Sequence, residues 1–281
     1  DYKPAYVNEI KDLKAEWDKE VERLKNYTYG ENFETLIKPQ DPRTVKEYLE
    51  LTKGEITQTS AIIALNEFIK DNGIVITAGG SLPSDLQRLW QTDKKDAYHA
   101  EYGYSCMGYE VAAALGVKMA DESSDVYAVV GDASFQMLNS ELSTIIQEGK
   151  KVYILGFDNS GFGCINNLQM NHAVGSLATE FRKRNGQKTD GDLMTADYTK
   201  VGEAYGFKGY TVRTLDEFKK ALHDSQDVEE PVIIDLKVLP KTMIDGYESW
   251  WNVGVAEVGK NEDQEKVYQE VIQGRKEARD Y

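Results

Sequence analysis

The sequence predicts an α/β fold built on a doubly wound, mostly parallel sheet, preceded by an N-terminal helix and a linker. Three observations predict it. From Thr57 onward, short apolar runs alternate with helical patterns, as crossovers between parallel strands require. The runs "IVIT", "DVYAVV" and "KVYILGF" read as buried strands with little polar interruption. Loops of small and polar residues close those three runs, and ligands of such sheets bind beyond the carboxyl ends of the strands.

The elements follow in order. "YVNEIKDLKAEWDKEVERLKN" places Ile10, Leu13, Trp17, Val21 and Leu24 at spacings of three and four, one apolar stripe on a charged helix. Between Tyr27 and about Gly54 the pattern is lost around Pro39 and Pro42, which reads as a linker with one short helix. "TQTSAIIALNEFIKDNG" is a helix capped by Thr57 and stopped by Gly73; "IVIT" then runs into the Gly79-Gly80-Ser81 turn. "MGYEVAAALGVKMAD" is a helix of small residues able to pack closely on a sheet. "DVYAVV" is a strand, "FQMLNSELSTIIQEG" one helix, and "KVYILGF" a strand. "DYTKVGEAYGF" and "TLDEFKKALHDSQ" are helices, "KGYTVR" and "PVIIDLKVL" strands, and a charged helix begins at Glu262. These readings divide the chain into residues 1–55, helix and linker, and residues 56–281, one ligand-binding domain with a C-terminal helical extension.

Composition narrows the function. A chain of 281 residues with 41% hydrophobic content supports a substantial core. A net charge of -15 argues against nucleic acid or an anionic membrane as the main partner. Cys106 and Cys164 form no CxxC pair, and no apolar run approaches a membrane span, so a reducing, cytoplasmic setting is expected. His99, His172 and His223 lack zinc-type spacing.

Three strand-end loops carry the chemistry: "AGGSLPSD" at 78–85, "GDAS" at 131–134 and "FDNSGFG" at 157–163. Asp132 alone has an ordinary explanation as a helix cap, as does Ser134. Asp132 and Asn159, however, stand 27 positions apart in the sequence, the distance of one strand-to-strand crossover. A parallel sheet can bring both to one edge, where a carboxylate, an amide oxygen and backbone carbonyls suit a hard cation such as Mg2+ with phosphate oxygens. The dinucleotide alternative is weak because "GGSLPSD" lacks GxGxxG spacing, and no GxxxxGK[ST] loop occurs.

"GDASFQMLNSELSTIIQEGKKVYILGFDNSGFG" resembles the cofactor motif of the thiamine-diphosphate-dependent enzymes, with Ala133 and Ser160 where the family usually has glycine and often a second asparagine. The resemblance implies Asp132, Asn159 and the Gly161 carbonyl as Mg2+ ligands. It implies backbone amides around Gly131, Ala133, Ser134 and Phe162 for the diphosphate, and Gly80, Ser81 and Leu82 as a first phosphate-side loop. In "EYGYSCMGYEVAAALG", Met107 stands where the family sets a large apolar residue between the two cofactor rings, and the Ser105 carbonyl would accept from the cofactor amine. Met107 as ordinary core is the alternative.

The stretches "NSGFGCINNLQM", "TEFR" and "KVLPKTMIDGYESWWNVGVAEV" are similar to the branch of that family that opens a hydroxylated cyclic dione by hydrolysis. The implied partners are that small molecule and a chain or domain carrying the pyrimidine-binding half, within a homo-oligomer (dimer or tetramer), with no nucleic acid and no membrane. This chain corresponds to the C-terminal, diphosphate-binding part, led in by a helix from a middle domain. Glu180 and Arg182 could contact the ring, with a surface ion pair as the favoured alternative; Tyr247, Trp250 and Trp251 could form a lid or pack between domains. Cys164 lacks a nearby base for a nucleophilic role. Two other functions stand beside this one: a 2-oxo acid carboligase or decarboxylase resembling acetolactate synthase, and a non-catalytic binding subunit of the same fold.

Overall fold

The computed structural model describes residues 3–25, 42–69, 72–244, 252–259 and 261–278. The chain divides into two compact units, Asp1–Leu36 and Ile37–Tyr281. In the first, α1 (Lys3–Lys25) carries Ile10, Leu13 and Trp17 along one face. In the second, α2 (Pro42–Thr52) is the short helix expected within the linker, and it belongs to the larger unit. The Tyr48 hydroxyl donates to the Asp158 carbonyl at 2.5 Å, and the Arg213 guanidinium donates to the Thr52 carbonyl at 2.9 Å.

The sheet has six strands, all parallel: β1 (Gly73–Thr77), β2 (Tyr98–Ala100), β3 (Asp125–Gly131), β4 (Tyr153–Asp158), β5 (Lys208–Val212) and β6 (Val232–Lys237). Their spatial order is β2-β1-β3-β4-β6-β5. Every residue of β4 and β6 is buried, which explains their nearly unbroken apolar sequences. Three residues on β2 are too short and too polar to announce a strand; β2 pairs at the edge with Val75–Thr77.

Among the described residues nine more α-helices follow: α3 (Gln58–Ile69), α4 (Ser81–Leu89), α5 (Tyr109–Ala120), α6 (Asp132–Leu138), α7 (Leu142–Glu148), α8 (Gly163–Asn171), α9 (Tyr198–Tyr205), α10 (Leu215–Asp224) and α11 (Glu262–Glu277). Val111, Ala114, Phe135, Leu142, Ile145 and Tyr198 pack on Val126, Ala128, Val130 and Ile154 of the sheet. α3 packs against both α4 and α10. Across β3 and β4 Tyr127 and Tyr153 stack, centroids 4.6 Å apart, and Gln226 donates 3.0 Å to the Tyr153 hydroxyl.

The single helix expected over "FQMLNSELSTIIQEG" is two. It starts three residues earlier, at Asp132, and breaks where Leu138 leaves helical geometry at φ -142°, ψ 33°. Thr57 does cap α3, accepting 3.1 Å from the Ser60 amide. Among the described residues no helix is long and apolar enough to cross a membrane.

Candidate functional site

β1, β3 and β4 are neighbours in the sheet, so the loops following them converge on one edge. Together with the segment after β2 they enclose a cavity of about 190 Å³, lined by Gly80, Ser81, Leu82, Ser105, Met107, Gly131, Asp132, Ala133, Ser134, Asn159, Gly161 and Phe162. The structure thus brings together all twelve residues singled out for a cofactor. Gln58, Gly79, Gly163, Cys164 and Ile165 complete the lining.

Close packing of backbones shapes this cavity. A Cβ on Gly79 would lie 2.9 Å from Ser105 Oγ and 3.1 Å from the Met107 side chain, so only glycine lets the turn after β1 meet the Met107 segment. Around Gly80, at φ +100°, a Cβ would meet nothing within 4 Å; at Gly131 it would meet only a Leu82 methyl at 3.9 Å. Bare backbone therefore faces the open space, as a diphosphate would require. Ser105 and Ser160 both hold positive φ, +54° and +57°, which kinks the two loops at the cavity edge.

Asp132 is not a conventional helix cap. Its Oδ1 accepts from the adjacent Ala133 amide at 2.7 Å, while Oδ2 accepts the amides of Asn159 and Gly161, each at 3.2 Å. The carboxylate of one loop thus fixes the backbone of the next. Burial and then the neighbouring Asp158 charge push its pKa well above the usual carboxylate range. A cation held by the Asp132 carboxylate, the Asn159 side chain and the Gly161 carbonyl would offset that strain, so the donor set fits a divalent, oxygen-seeking metal. Among the described residues no group of three His, Cys, Asp or Glu side chains offers an alternative metal site.

Behind Asn159 lies a charged layer that the sequence did not disclose. Lys237 is buried and donates to Asp158 Oδ2 at 2.7 Å, Asp235 Oδ2 at 2.8 Å and the Ala196 carbonyl at 2.9 Å. Asp158 also accepts the Ser160 amide at 3.0 Å, closing the turn that carries Asn159. Burial, offset in part by Lys237, pushes the Asp235 carboxyl up to about 6. The Asp158–Lys237 pairing is set by strand register, since the two residues face each other across β4 and β6.

Other candidates lie elsewhere. Glu180 and Arg182 do not line the cavity, and they are not a surface pair: their side chains are only 8% and 5% exposed. Arg182 reaches Glu47 at 2.6 Å, bonds Glu180, and donates 2.9 Å to Thr44, while Lys241 donates 2.6 Å to Glu180. This network joins α2 to the segment after α8. Tyr247, Trp250 and Trp251 lie outside the described residues. Burial raises the Cys164 thiol pKa, which disfavours a thiolate. His99 and His172 contact the backbone carbonyls of Asp96 and Leu168, away from the cavity.

The sequence matches the family model "Thiamine pyrophosphate enzyme, C-terminal TPP binding domain" over residues 78–236, a span that contains every cavity-lining residue except Gln58. Curated relatives cover the whole chain. A protein of Clostridium botulinum named 3D-(3,5/4)-trihydroxycyclohexane-1,2-dione hydrolase is 51% identical over 282 residues, and one of the same name from Geobacillus thermodenitrificans is 52% identical over 283. The chain spans 44% of the length of each. Among solved structures, a thiamine diphosphate-dependent 4-hydroxybenzoylformate decarboxylase of Rhodococcus jostii superposes with a TM-score of 0.55 at 18% identity, covering 65% of this chain and 32% of that one, a likeness of fold.

Proposed function

Because this chain belongs to the thiamine pyrophosphate enzymes through their C-terminal cofactor-binding domain, we propose that it is the diphosphate-binding part of a hydrolase. Its substrate is 3D-(3,5/4)-trihydroxycyclohexane-1,2-dione, opened to 5-deoxyglucuronate in the cytoplasmic breakdown of myo-inositol. The observation that carries this reading is the single cavity lined by all twelve cofactor-candidate residues, in a chain about half identical to relatives bearing that name.

When bound, thiamine diphosphate (also called thiamine pyrophosphate) supplies the carbon nucleophile and electron sink for cleaving the bond between the two carbonyl carbons. The chain's own residues bind and orient. Asp132, Asn159 and the Gly161 carbonyl would hold Mg2+, whose charge would offset that of the diphosphate within a protein of net charge -15. The backbone at Gly80 and Gly131 leaves room for phosphate oxygens, and the Ser105 carbonyl would accept from the cofactor amine. Met107 is half-buried at the cavity wall, where its side chain would bear on the cofactor and orient it.

Of the described residues lining the cavity, only Asp132 and Cys164 are ionisable. Neither suits the activating acid, so that group comes from a pyrimidine-binding half, in a homo-oligomer that closes over this edge. Substrate contacts would be completed by that half.

Two experiments test the reading. By calorimetry with the pyrimidine-binding half present, thiamine diphosphate binds only with Mg2+, and Asp132→Ala abolishes binding while the far-ultraviolet circular dichroism is retained. Unchanged metal-dependent affinity in that variant rules out the metal assignment. The assembled protein consumes the cyclic dione and leaves pyruvate untouched; the opposite preference would assign it to carboligation or decarboxylation of 2-oxo acids.

A further inference from the structure

Glu110 lies outside the cavity lining and has no part in the mechanism above, yet it is 1% exposed and stands where three cavity walls meet. Its carboxylate accepts the Ser134 hydroxyl at 2.9 and 3.0 Å and the Gly108 amide at 3.0 Å. The Ala78 backbone also bonds it. Ala78 precedes the glycine turn after β1, Gly108 follows Met107, and Ser134 follows Asp132 by two positions.

Among the described residues no cation pairs with Glu110. Burial raises its pKa, and only neutral donors from separate loops oppose that cost. Local helix capping explains part of the arrangement, since Gly108 is the cap of α5 and offers no side chain of its own. It does not explain Ser134, 24 residues away, whose Oγ also accepts the Gly108 amide at 2.7 Å. That amide is therefore shared between Glu110 and Ser134. Gly108 itself sits at φ +94°, where a Cβ would come within 2.9 Å of Leu138. The turn bearing Met107 is thus clamped from two sides.

Resting on the reading of the cavity as a thiamine diphosphate site, we infer that Glu110 is a positioning residue for Met107. Through Gly108 and Ser134 it fixes the height of the Met107 side chain above the loop that carries Asp132. A displacement of about 1 Å at a reacting centre costs on the order of 100-fold in rate, so loosening this clamp acts on turnover and spares the anchoring of the diphosphate.

The test is a double-mutant cycle in the protein assembled with its pyrimidine-binding half, using Glu110→Ala and Met107→Ala. Glu110→Ala lowers kcat roughly 10- to 100-fold, while the calorimetric dissociation constant for thiamine diphosphate with Mg2+ stays within about threefold. On the Met107→Ala background, removing Glu110 lowers kcat by no more than about twofold, because the positioned group is already gone. Glu110→Gln keeps the shape and one acceptor oxygen, recovers most of kcat, and carries the cycle if the alanine variant fails to fold. A merely structural Glu110 would lower stability alike in both backgrounds and leave kcat per bound cofactor unchanged; that result overturns the inference, as does a multiplicative loss in the double variant. Absence of metal-dependent binding by the unsubstituted protein overturns the cofactor reading itself, and this inference with it.

Discussion

Replacing Lys237 by methionine keeps most of the stem and deletes the ammonium that links Asp158 and Asp235. All three side chains are at most 7% exposed, so no water replaces the lost donor. Removing one partner of a buried pair costs about 3–5 kcal/mol. The penalty falls as pH falls, because a stranded carboxyl escapes it by taking up a proton. Asp235 already has its pKa raised to about 6, so it absorbs a proton first. For an acid whose folded pKa is raised, its share of stability is complete below the unfolded pKa and is lost as pH rises through the folded one. Lys237→Met therefore lowers unfolding free energy by about 3–5 kcal/mol near pH 7, with the penalty shrinking to about 1–2 near pH 5. Urea unfolding of the apo protein at both pH values measures this. A neutral-pH penalty below about 0.5 kcal/mol, or one indifferent to pH, would refute the argument that Lys237 compensates two buried charges.

Two further outcomes follow from named contacts. Burial would raise the Glu180 pKa, but hydrogen bonds from Lys241, Ser176 and Arg182 outweigh it and hold the carboxyl at about 2. Its contribution is present above its unfolded pKa of about 4.3 and lost as pH falls toward 2. Glu180→Gln should thus be less stable at neutral pH and lose less on acidification, read from acid-unfolding midpoints. Gly161→Ala would set a Cβ 2.5 Å from the Thr179 carbonyl and 3.2 Å from Glu180 Cα. Both are backbone atoms, so the variant should lose about 1–3 kcal/mol in thermal unfolding and weaken Mg2+-dependent cofactor binding together. Normal binding would mean the loop tolerates displacement.

The fold was legible wherever apolar runs were long: β1, β3, β4 and β6 stand where "IVIT", "DVYAVV", "KVYILGF" and "PVIIDLKVL" predict them. β2 was not legible, since edge pairing of Tyr98–Ala100 depends on β1 being present. The break after Leu138 was hidden by an unbroken helical pattern. The cavity lining was legible because the small residues and Asp132 and Asn159 are a local chemical signature. Lys237, Asp158 and Glu110 were not, because their roles depend on strand register and on partners 24 to 79 residues away. The Glu180–Arg182 pair was misjudged as superficial for the same reason: its cover, Thr44 and Glu47, comes from α2, more than 130 residues earlier.

The hydrogen bond from Tyr48 to the Asp158 carbonyl has a mechanical consequence. It ends one peptide unit from Asn159, so α2 is a tether whose far end is fastened to the loop proposed to carry the metal. A displacement of α2 is passed to that carbonyl through Tyr48, and to Arg182 through Thr44 and Glu47. Tyr48→Phe removes the fastening while keeping the ring that fills the core, and with it the leverage that α2 exerts on the loop of the proposed cation donors.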